Sequence, residues 1–273
     1  MINKLGGAVR LSLNTATIKK ASLAEAAELC VRNGIEGIGP WRDVVEQAGG
    51  ATKARKLLDD NGLTVTSLCR GGFFHQGLDD TRRAIEEAAI LGTRELVLVV
   101  GGLLPGSKDL PAARRVVGDA LEELVPYAIQ HDVRLAIEPL HPMFCADRAV
   151  VSTLGQALDL AEPYAPSEVG VVVDTYHVWW DPQLYEQIER AAGRISCYQV
   201  CDWVVPLPED MLLGRGHVGD GHIDFAPITE AVERAGYQGF VEVEIFNQQI
   251  WDTPPAQTVA TVVERWNATG QEP

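Results

Sequence analysis

The sequence alternates between two kinds of segment, and this alternation limits the possible folds more than any other feature. Short runs of apolar and β-branched residues end in polar, glycine or proline residues, and each run is followed by a stretch with helical periodicity. The predicted strands cover residues 9–14, 34–39, 64–69, 95–100, 134–138, 169–174, 195–200 and 240–244. The predicted helices cover residues 22–32, 52–60, 81–91, 111–131, 154–164, 184–192, 225–235 and 256–266. Eight such pairs predict an α/β fold of the (β/α)8 TIM-barrel type.

Local signals at the helix ends support this alternation. Ser22 precedes an apolar run and is followed three residues later by Glu25, which is the pattern of a capping box. The pair at 33–34, Asn-Gly, is typical of a helix C-terminus, and 61–62 repeats it. A doubly wound open sheet is the alternative, but it requires a glycine-rich loop after the first strand, and residues 13–16 do not form one.

Length and composition agree with one large domain. The chain has 273 residues, of which 46% are hydrophobic and 22% are charged, and this composition excludes disordered and collagen-like chains. The length matches a single α/β barrel better than two average domains. No linker-like or low-complexity segment interrupts the series, so we predict a single domain over residues 1–273.

The net charge limits the classes of molecule that the protein is expected to bind. Thirty-eight acidic residues against 23 basic ones give a formal charge of −15, which repels nucleic acid and anionic membrane surfaces. The sequence has no apolar run of the roughly 18 residues that a membrane span needs and no secretory signal pattern at its start, so we expect a cytoplasmic location. The five cysteines lack CxxC spacing and are expected to be reduced. A homo-oligomer is neither indicated nor excluded.

Four consecutive predicted strands end in oxygen donors. They are Glu138, Asp174, Gln199 and Glu244. Barrel enzymes carry their chemistry at the carboxyl ends of the strands, and three carboxylates buried there would repel one another and lose hydration. One divalent ion would offset both costs. Oxygen donors without thiolates favour Mn²⁺ or Mg²⁺, with Co²⁺ or Zn²⁺ as alternatives.

For three residues next to the candidate ligands we predict structural roles. We expect Glu242 to face the helix layer and to pair with a basic side chain. Cys197 and Cys201 are expected to share the inward face of their strand with Gln199 and to act as core residues.

The motifs at these strand ends carry a resemblance. Residues 137–139 read Ile-Glu-Pro, residues 173–177 read Val-Asp-Thr-Tyr-His, Gln199 stands three before Asp202, and residues 243–244 read Val-Glu. Residues 214–225 place an arginine ahead of a glycine-rich turn and an Ile-Asp-Phe helix start. Together these pieces resemble the xylose isomerase-like TIM-barrel superfamily of sugar isomerases, epimerases and inositol-pathway enzymes, over essentially the whole chain.

The resemblance implies one divalent metal ion held by Glu138, Asp174, Gln199 and Glu244. It also implies that Glu138 and Glu244 flank the substrate carbon as acid and base. Gln199 departs from the family, in which histidine is the commoner ligand at this position. His141 and residues 144–148 depart from the pattern of a ketose 3-epimerase.

These residues support proton transfer next to a carbonyl. The function that we predict is a metal-dependent isomerase or epimerase of a sugar or keto-inositol, acting through a metal-stabilised enediolate, with a small carbohydrate or cyclitol as its partner. We expect His177 and Arg215 to hold substrate oxygens. Further candidates for contact with the substrate are His141 and the aromatic residues Trp41, Trp203 and Trp251.

Three alternatives stay open. A lyase on the same scaffold, either a dehydratase similar to inosose dehydratase or a C-glycoside-cleaving subunit, begins with the same proton abstraction, and Gln199 and His141 favour it. A DNA-repair endonuclease of the endonuclease IV kind shares the barrel but needs further metal-binding histidines and a basic face. A barrel that binds a metabolite without catalysis is the third.

Overall fold

The computed structural model describes residues 10–268, in which the main strands form one parallel sheet that curves into a barrel. The strands are β1 (Leu11–Asn14), β2 (Gly37–Gly39), β3 (Thr64–Val65), β4 (Leu68–Gly72), β5 (Glu95–Val99), β6 (Arg134–Ile137), β7 (Val169–Asp174), β8 (Ile195–Val200), β9 (Asp202–Trp203), β10 (Arg215–Gly216) and β11 (Val241–Val243). Hydrogen bonding orders the sheet as β3, β2, β1, β11, β8, β7, β6, β5, β4, while β9 and β10 form a separate antiparallel pair. The predicted TIM-barrel fold is confirmed. Val9, the first residue of the first predicted strand, lies outside the described residues.

Helices follow the strands and surround the sheet. They are α1 (Leu23–Arg32), α2 (Arg42–Gln47), α3 (Ala51–Asp60), α4 (Asp79–Leu91), α5 (Leu110–Gln130), α6 (Leu154–Ala161), α7 (Thr175–Val178), α8 (Leu184–Arg190), α9 (Phe225–Arg234), α10 (Gln248–Asp252) and α11 (Pro255–Ala268). The predicted capping box is present, since the Ser22 hydroxyl accepts a hydrogen bond from the backbone N–H of Glu25 at 3.2 Å. Among the described helices, none is long and apolar enough to cross a bilayer.

The third predicted strand is divided into two, and this division closes the barrel. β3 pairs with β2, whereas β4 pairs with β5. Between β3 and β4, the hydroxyls of Thr66 and Ser67 both donate hydrogen bonds to the Glu242 carboxylate. The strand therefore changes neighbours where these two side chains meet a buried acceptor.

The barrel interior contains an apolar layer below its mouth. Side chains from five strands pack together there, namely Cys69, Val97, Ala136, Val172 and Cys197. Cys197 therefore faces inward, as predicted. Gln199 lies two residues further along β8, on the same side of the strand and closer to the carboxyl ends. The apolar layer closes the barrel from beneath, so the polar side chains above it face the mouth.

The position predicted for Glu242 is wrong. Its side chain is buried inside the barrel and not in the helix layer, and its hydrogen-bond partners are the neutral groups of Asn14, Thr66, Ser67 and Gln199. The physical reason is the period of a strand, because residues two apart point to the same face. Glu242 and Glu244 consequently both face inward.

Candidate active site

The four predicted metal ligands lie at the carboxyl ends of neighbouring strands. Glu138 follows β6, Asp174 ends β7, Gln199 lies in β8 and Glu244 follows β11. Asp174 and Gln199 are direct partners in the pairing of β7 with β8. All four side chains are buried, with at most 5% of any residue exposed.

Arg215 links two of these acidic residues. It lies in β10, which the β9–β10 hairpin brings over the barrel mouth. Its Nη1 is 3.2 Å from Asp174 Oδ2 and 2.9 Å from Glu244 Oε2. Arg215 is only 2% exposed, so these charge-assisted hydrogen bonds are shielded from solvent. The guanidinium therefore belongs to the same buried cluster as the acidic groups.

The three buried carboxyl groups have raised pKa values because burial disfavours the charged form. The pKa of Glu138 is well above its ordinary value, owing first to burial and then to the charges of Glu244 and Asp174. Burial raises the pKa of Glu244 from 4.5 to about 7, although Arg215 opposes the increase. Burial also raises the pKa of Asp174, and Arg215 again acts in the opposite direction.

Gln199 and Glu242 form a hydrogen bond that fixes the orientation of the amide. Gln199 Nε2 donates to Glu242 Oε1 at 2.9 Å, and the two residues are direct partners across β8 and β11. Gln199 Oε1 is buried and has no hydrogen-bond partner within residues 10–268. A buried acceptor without a partner is costly, so this oxygen is suited to a cation.

The chemistry of this donor set fits a divalent ion. Four carboxyl groups, those of Glu138, Asp174, Glu242 and Glu244, are buried beside one guanidinium, that of Arg215. In the part of the chain that the structure describes, the Glu138 side chain accepts no hydrogen bond. A cation held at the predicted positions would balance the excess negative charge and would provide Gln199 Oε1 with a partner.

His177 lies close to the same acidic groups. Glu138, Asp174 and His177 each have one side-chain atom that could bind a metal ion, and these three atoms all lie within 4.8 Å of one another. However, His177 Nδ1 accepts a hydrogen bond from the backbone N–H of His141 at 3.2 Å. Burial and the charge of Arg215 keep the pKa of His177 well below its ordinary value, so the ring is neutral. A neutral ring carries one hydrogen, on either Nδ1 or Nε2.

Nε2 of His177 faces Arg215 as well as the acidic cluster. Nε2 lies 3.0 Å from Arg215 Nη2 and 3.8 Å from Asp174 Oδ2. Both ring nitrogens of His177 therefore face a donor, and a neutral ring accepts a hydrogen bond from only one of them. That His177 and Arg215 contact substrate oxygens stays a prediction.

The predicted aromatic contacts occupy different places. Trp41 lines the cavity at the barrel mouth, and its Nε1 donates to Glu244 Oε1 at 3.3 Å. Trp203 stacks on Tyr176 with ring centroids 4.8 Å apart. The ring of His141 packs 5.0 Å from that of Trp203, while its backbone N–H orients His177. Trp251 packs against Phe246 at 5.9 Å. Of these predicted contacts, Trp41 thus lies nearest to the acidic cluster.

Two arginines and one phenylalanine are among the cavity-lining residues that the sequence did not predict. They are Arg70, Arg148 and Phe246. Arg70 directly follows Cys69, where the third predicted strand ends, so its position at a strand end was a usable signal. Arg148 lies within residues 144–148, and Phe246 lies two residues after Glu244.

Several curated proteins with sequences similar to this chain are enzymes. 3-Dehydroshikimate dehydratase of Pseudomonas putida is 26% identical over 255 residues, which cover 88% of this chain and 38% of the relative. Inosose isomerase of Bacillus velezensis is 25% identical over 278 residues, which cover 95% of this chain and 96% of the relative. This chain thus spans well under half of the dehydratase and nearly all of the isomerase.

Structural comparison agrees with the sequence matches. A protein from Sinorhizobium meliloti 1021 of known structure is 49% identical, with a TM-score of 0.91 over 95% of this chain and 98% of the other. The model of a protein family described as the xylose isomerase-like TIM barrel matches residues 24–268. Because this match covers most of its length, the chain belongs to the xylose isomerase-like TIM-barrel family.

Proposed function

We propose that the protein is a metal-dependent isomerase or epimerase that moves a proton next to the carbonyl group of a sugar or keto-inositol. The observation that carries this proposal is the placement of Glu138 and Glu244, which line one cavity at the barrel mouth together with His177 and Arg215. The similarity to an inosose isomerase over nearly the full length of both chains supports the substrate class.

The donor set indicates how a metal ion would be held. Glu138, Asp174, Gln199 and Glu244 would bind one divalent ion, which when bound supplies a Lewis acid for the carbonyl and adjacent hydroxyl oxygens of the substrate. Oxygen donors favour Mn²⁺ or Mg²⁺, with Co²⁺ or Zn²⁺ as alternatives.

The protein side chains would transfer the proton and stabilise the charge that develops. Glu244 would take the proton from the carbon beside the carbonyl group, and Glu138 would act on the other side of that carbon. The Arg215 guanidinium would donate to the oxygen that becomes negative, and His177 beside it would contact the same oxygen. Trp41 and Phe246 would cover the apolar face of the substrate.

Deuterium exchange tests this proposal, because it detects removal of the proton from the substrate whichever product then forms. The protein, loaded with Mn²⁺, would be incubated in D₂O with a panel of ketoses and inososes, and NMR would report deuterium at the carbon beside the carbonyl. Glu138→Gln should slow this exchange by about 10²- to 10⁴-fold, because it removes an acid–base group. Glu264→Gln, an exposed change on α11, is the matched control and should exchange at the wild-type rate. Exchange at the wild-type rate in Glu138→Gln would contradict the assignment.

Dehydration is the second candidate, and the similarity to 3-dehydroshikimate dehydratase favours it. Glu244 would again take a proton from the carbon beside the carbonyl group. Glu138 would then protonate the hydroxyl on the next carbon, so that water leaves and a carbon–carbon double bond forms. Mass spectrometry of the exchange reactions separates the two candidates. An isomer has the mass of the substrate plus any deuterium taken up, whereas a dehydration product is lighter by one water molecule.

A further inference from the structure

Two arginines besides Arg215 line the cavity at the barrel mouth. Arg70 lies in β4, directly after Cys69, and Arg148 lies between α5 and α6. Both line the same cavity as Glu138, His177 and Glu244. They are therefore within the space that a substrate would occupy, although neither contacts the predicted metal ligands.

Arg70 is half-buried without a counterion. Within residues 10–268 its guanidinium makes no hydrogen bond and no ion pair, and it lies 4.1 Å from the centre of the Phe73 ring. Neighbouring Arg42, in contrast, forms ion pairs with Asp80 at 2.8 Å and with Glu87 at 2.7 Å. A half-buried guanidinium with unused donors is unfavourable unless a ligand supplies an acceptor.

The charges around Arg70 also favour an anionic ligand. Burial lowers the pKa of Arg70, and the positive charges of Arg42 and Arg148 add to this decrease, while Asp80 opposes it. Arg148 has a weak ion pair, because its Nε is 3.8 Å from an oxygen of Asp147, whose side chain is 66% exposed. This part of the cavity thus carries uncompensated positive charge, although the acidic cluster beside it is negative.

We propose that Arg70 and Arg148 bind an anionic group of the substrate, a carboxylate or a phosphate monoester, while its carbonyl end faces Glu138 and Glu244. The planar fork of an arginine donates two parallel hydrogen bonds to either anion. This inference rests on the proposed function only for the position of the reacting end. It narrows the substrate class from neutral sugars and cyclitols to acidic or phosphorylated ones.

Binding of unreactive probes tests this inference without relying on turnover. D-Glucitol, D-gluconate and D-glucitol 6-phosphate share a six-carbon polyol chain and differ in one terminal group. Titration calorimetry with the Mn²⁺-loaded protein should give at least a tenfold higher affinity for one of the two anions than for D-glucitol. Preference for D-gluconate assigns the site to a carboxylate, and preference for D-glucitol 6-phosphate assigns it to a phosphate.

Substitutions then locate the site. Arg70→Gln and Arg148→Gln should each weaken binding of the preferred anion by about 10- to 100-fold, the usual loss for one charged hydrogen-bond donor. Arg70→Lys keeps the charge but not the fork, and it should give a smaller loss. Arg115→Gln removes the same charge from an exposed position on α5 that does not line the cavity, and it should bind like wild type.

The outcomes separate this inference from the proposed function. Equal affinity for all three probes, or an unchanged anion affinity in both Arg70→Gln and Arg148→Gln, would overturn the anion site. For this comparison the exchange panel also includes acidic and phosphorylated ketoses. If the anion binds as expected but no ketone in this wider panel takes up deuterium, the anion site stands and the proposed proton transfer fails.

Discussion

Gln199 presents its amide in one orientation because Glu242 accepts a hydrogen bond from its Nε2. Glu242 is itself held by donors from Asn14, Thr66 and Ser67, so its position is fixed from several sides. The acceptor atom of the amide, Oε1, is thereby left available. At the scale of single residues, we propose that Glu242 positions the candidate ligand Gln199.

Removing Glu242 should therefore weaken metal binding. Glu242→Leu should lower the affinity for Mn²⁺ by about 10- to 100-fold, as is typical when the group that orients a ligand is lost. Glu242→Gln keeps an oxygen that accepts from Gln199 Nε2 and should restore most of the affinity. Gln199→Ala should weaken binding as well, whereas Gln199→His should keep or increase it, because imidazole is a stronger donor to transition metals.

Titration calorimetry on folded variants measures these effects. Circular dichroism melts select the variants that fold, because a buried substitution can also lower stability. Wild-type affinity in Glu242→Leu would show that the amide does not need this neighbour, and wild-type affinity in Gln199→Ala would remove Gln199 from the ligand set.

The sequence predicted the positions of the four candidate ligands better than those of their neighbours. Each candidate lies at a predicted strand end, and the carboxyl ends of barrel strands meet at the mouth. The prediction for Glu242 was wrong because it treated residues 242 and 244 as alternating, whereas residues two apart in a strand point to the same face. That Arg70 lacks a counterion is a tertiary property, and no local pattern reports it.

At the scale of elements, the β9–β10 hairpin and the loop behind it position Arg215. Asp202, at the start of β9, is fully buried, and its carboxylate accepts hydrogen bonds from four backbone N–H groups. These belong to Trp203, Gly219, Gly221 and Ile223. A Cβ on Gly221 would lie 2.1 Å from the carbonyl oxygen of Trp203, so the loop also needs glycine there. The loop is thus tied to the strand end by one side chain.

Asp202→Asn should loosen this loop. The amide nitrogen replaces one acceptor oxygen and faces N–H groups, so we expect the free energy of unfolding to fall by about 1–3 kcal/mol. Deuterium exchange should slow because Arg215 is held less firmly, while the affinity for Mn²⁺ should change less than tenfold, since Asp202 is not a predicted ligand. Asp224→Asn is the matched control, because Asp224 is exposed and makes no capping hydrogen bond. Urea unfolding and calorimetry would check both, and equal stability of the two variants would contradict the anchoring role.

Long elements were predictable and short ones were not. The eight predicted helices correspond to α1, α3, α4, α5, α6, α8, α9 and α11, with ends that differ by a few residues. The short helices α2, α7 and α10 span four to six residues, too few for a helical period to emerge. The break between β3 and β4 depends on Glu242, a residue far away in the sequence.

At the scale of the whole molecule, the barrel encloses acidic groups that are more easily protonated in the folded state than in the unfolded one. For Glu244 the pKa rises from 4.5 to about 7 on folding. Since the folded state then binds more protons between these values, the contribution of Glu244 to stability is complete below about pH 4.5 and is lost as the pH rises toward 7. Glu138 and Asp174 shift in the same direction.

Metal-free protein should therefore show a specific pH dependence when it is compared with Glu244→Gln. The variant lacks this ionisation, so the free energy of unfolding of wild type minus that of the variant should decrease from pH 4.5 to pH 7. Carboxyl groups that do not interact with Glu244 contribute equally to both proteins and cancel in the difference. The charges of Glu138 and Asp174 repel ionised Glu244, which adds to the same decrease. With saturating Mn²⁺ the trend should reverse, because a divalent ion binds the ionised carboxylates and its affinity increases with pH. Urea unfolding at half-unit pH steps, once with chelator and once with Mn²⁺, measures both trends. If the difference in free energy of unfolding stays constant or increases with pH in chelator, Glu244 does not carry a raised pKa in the metal-free barrel.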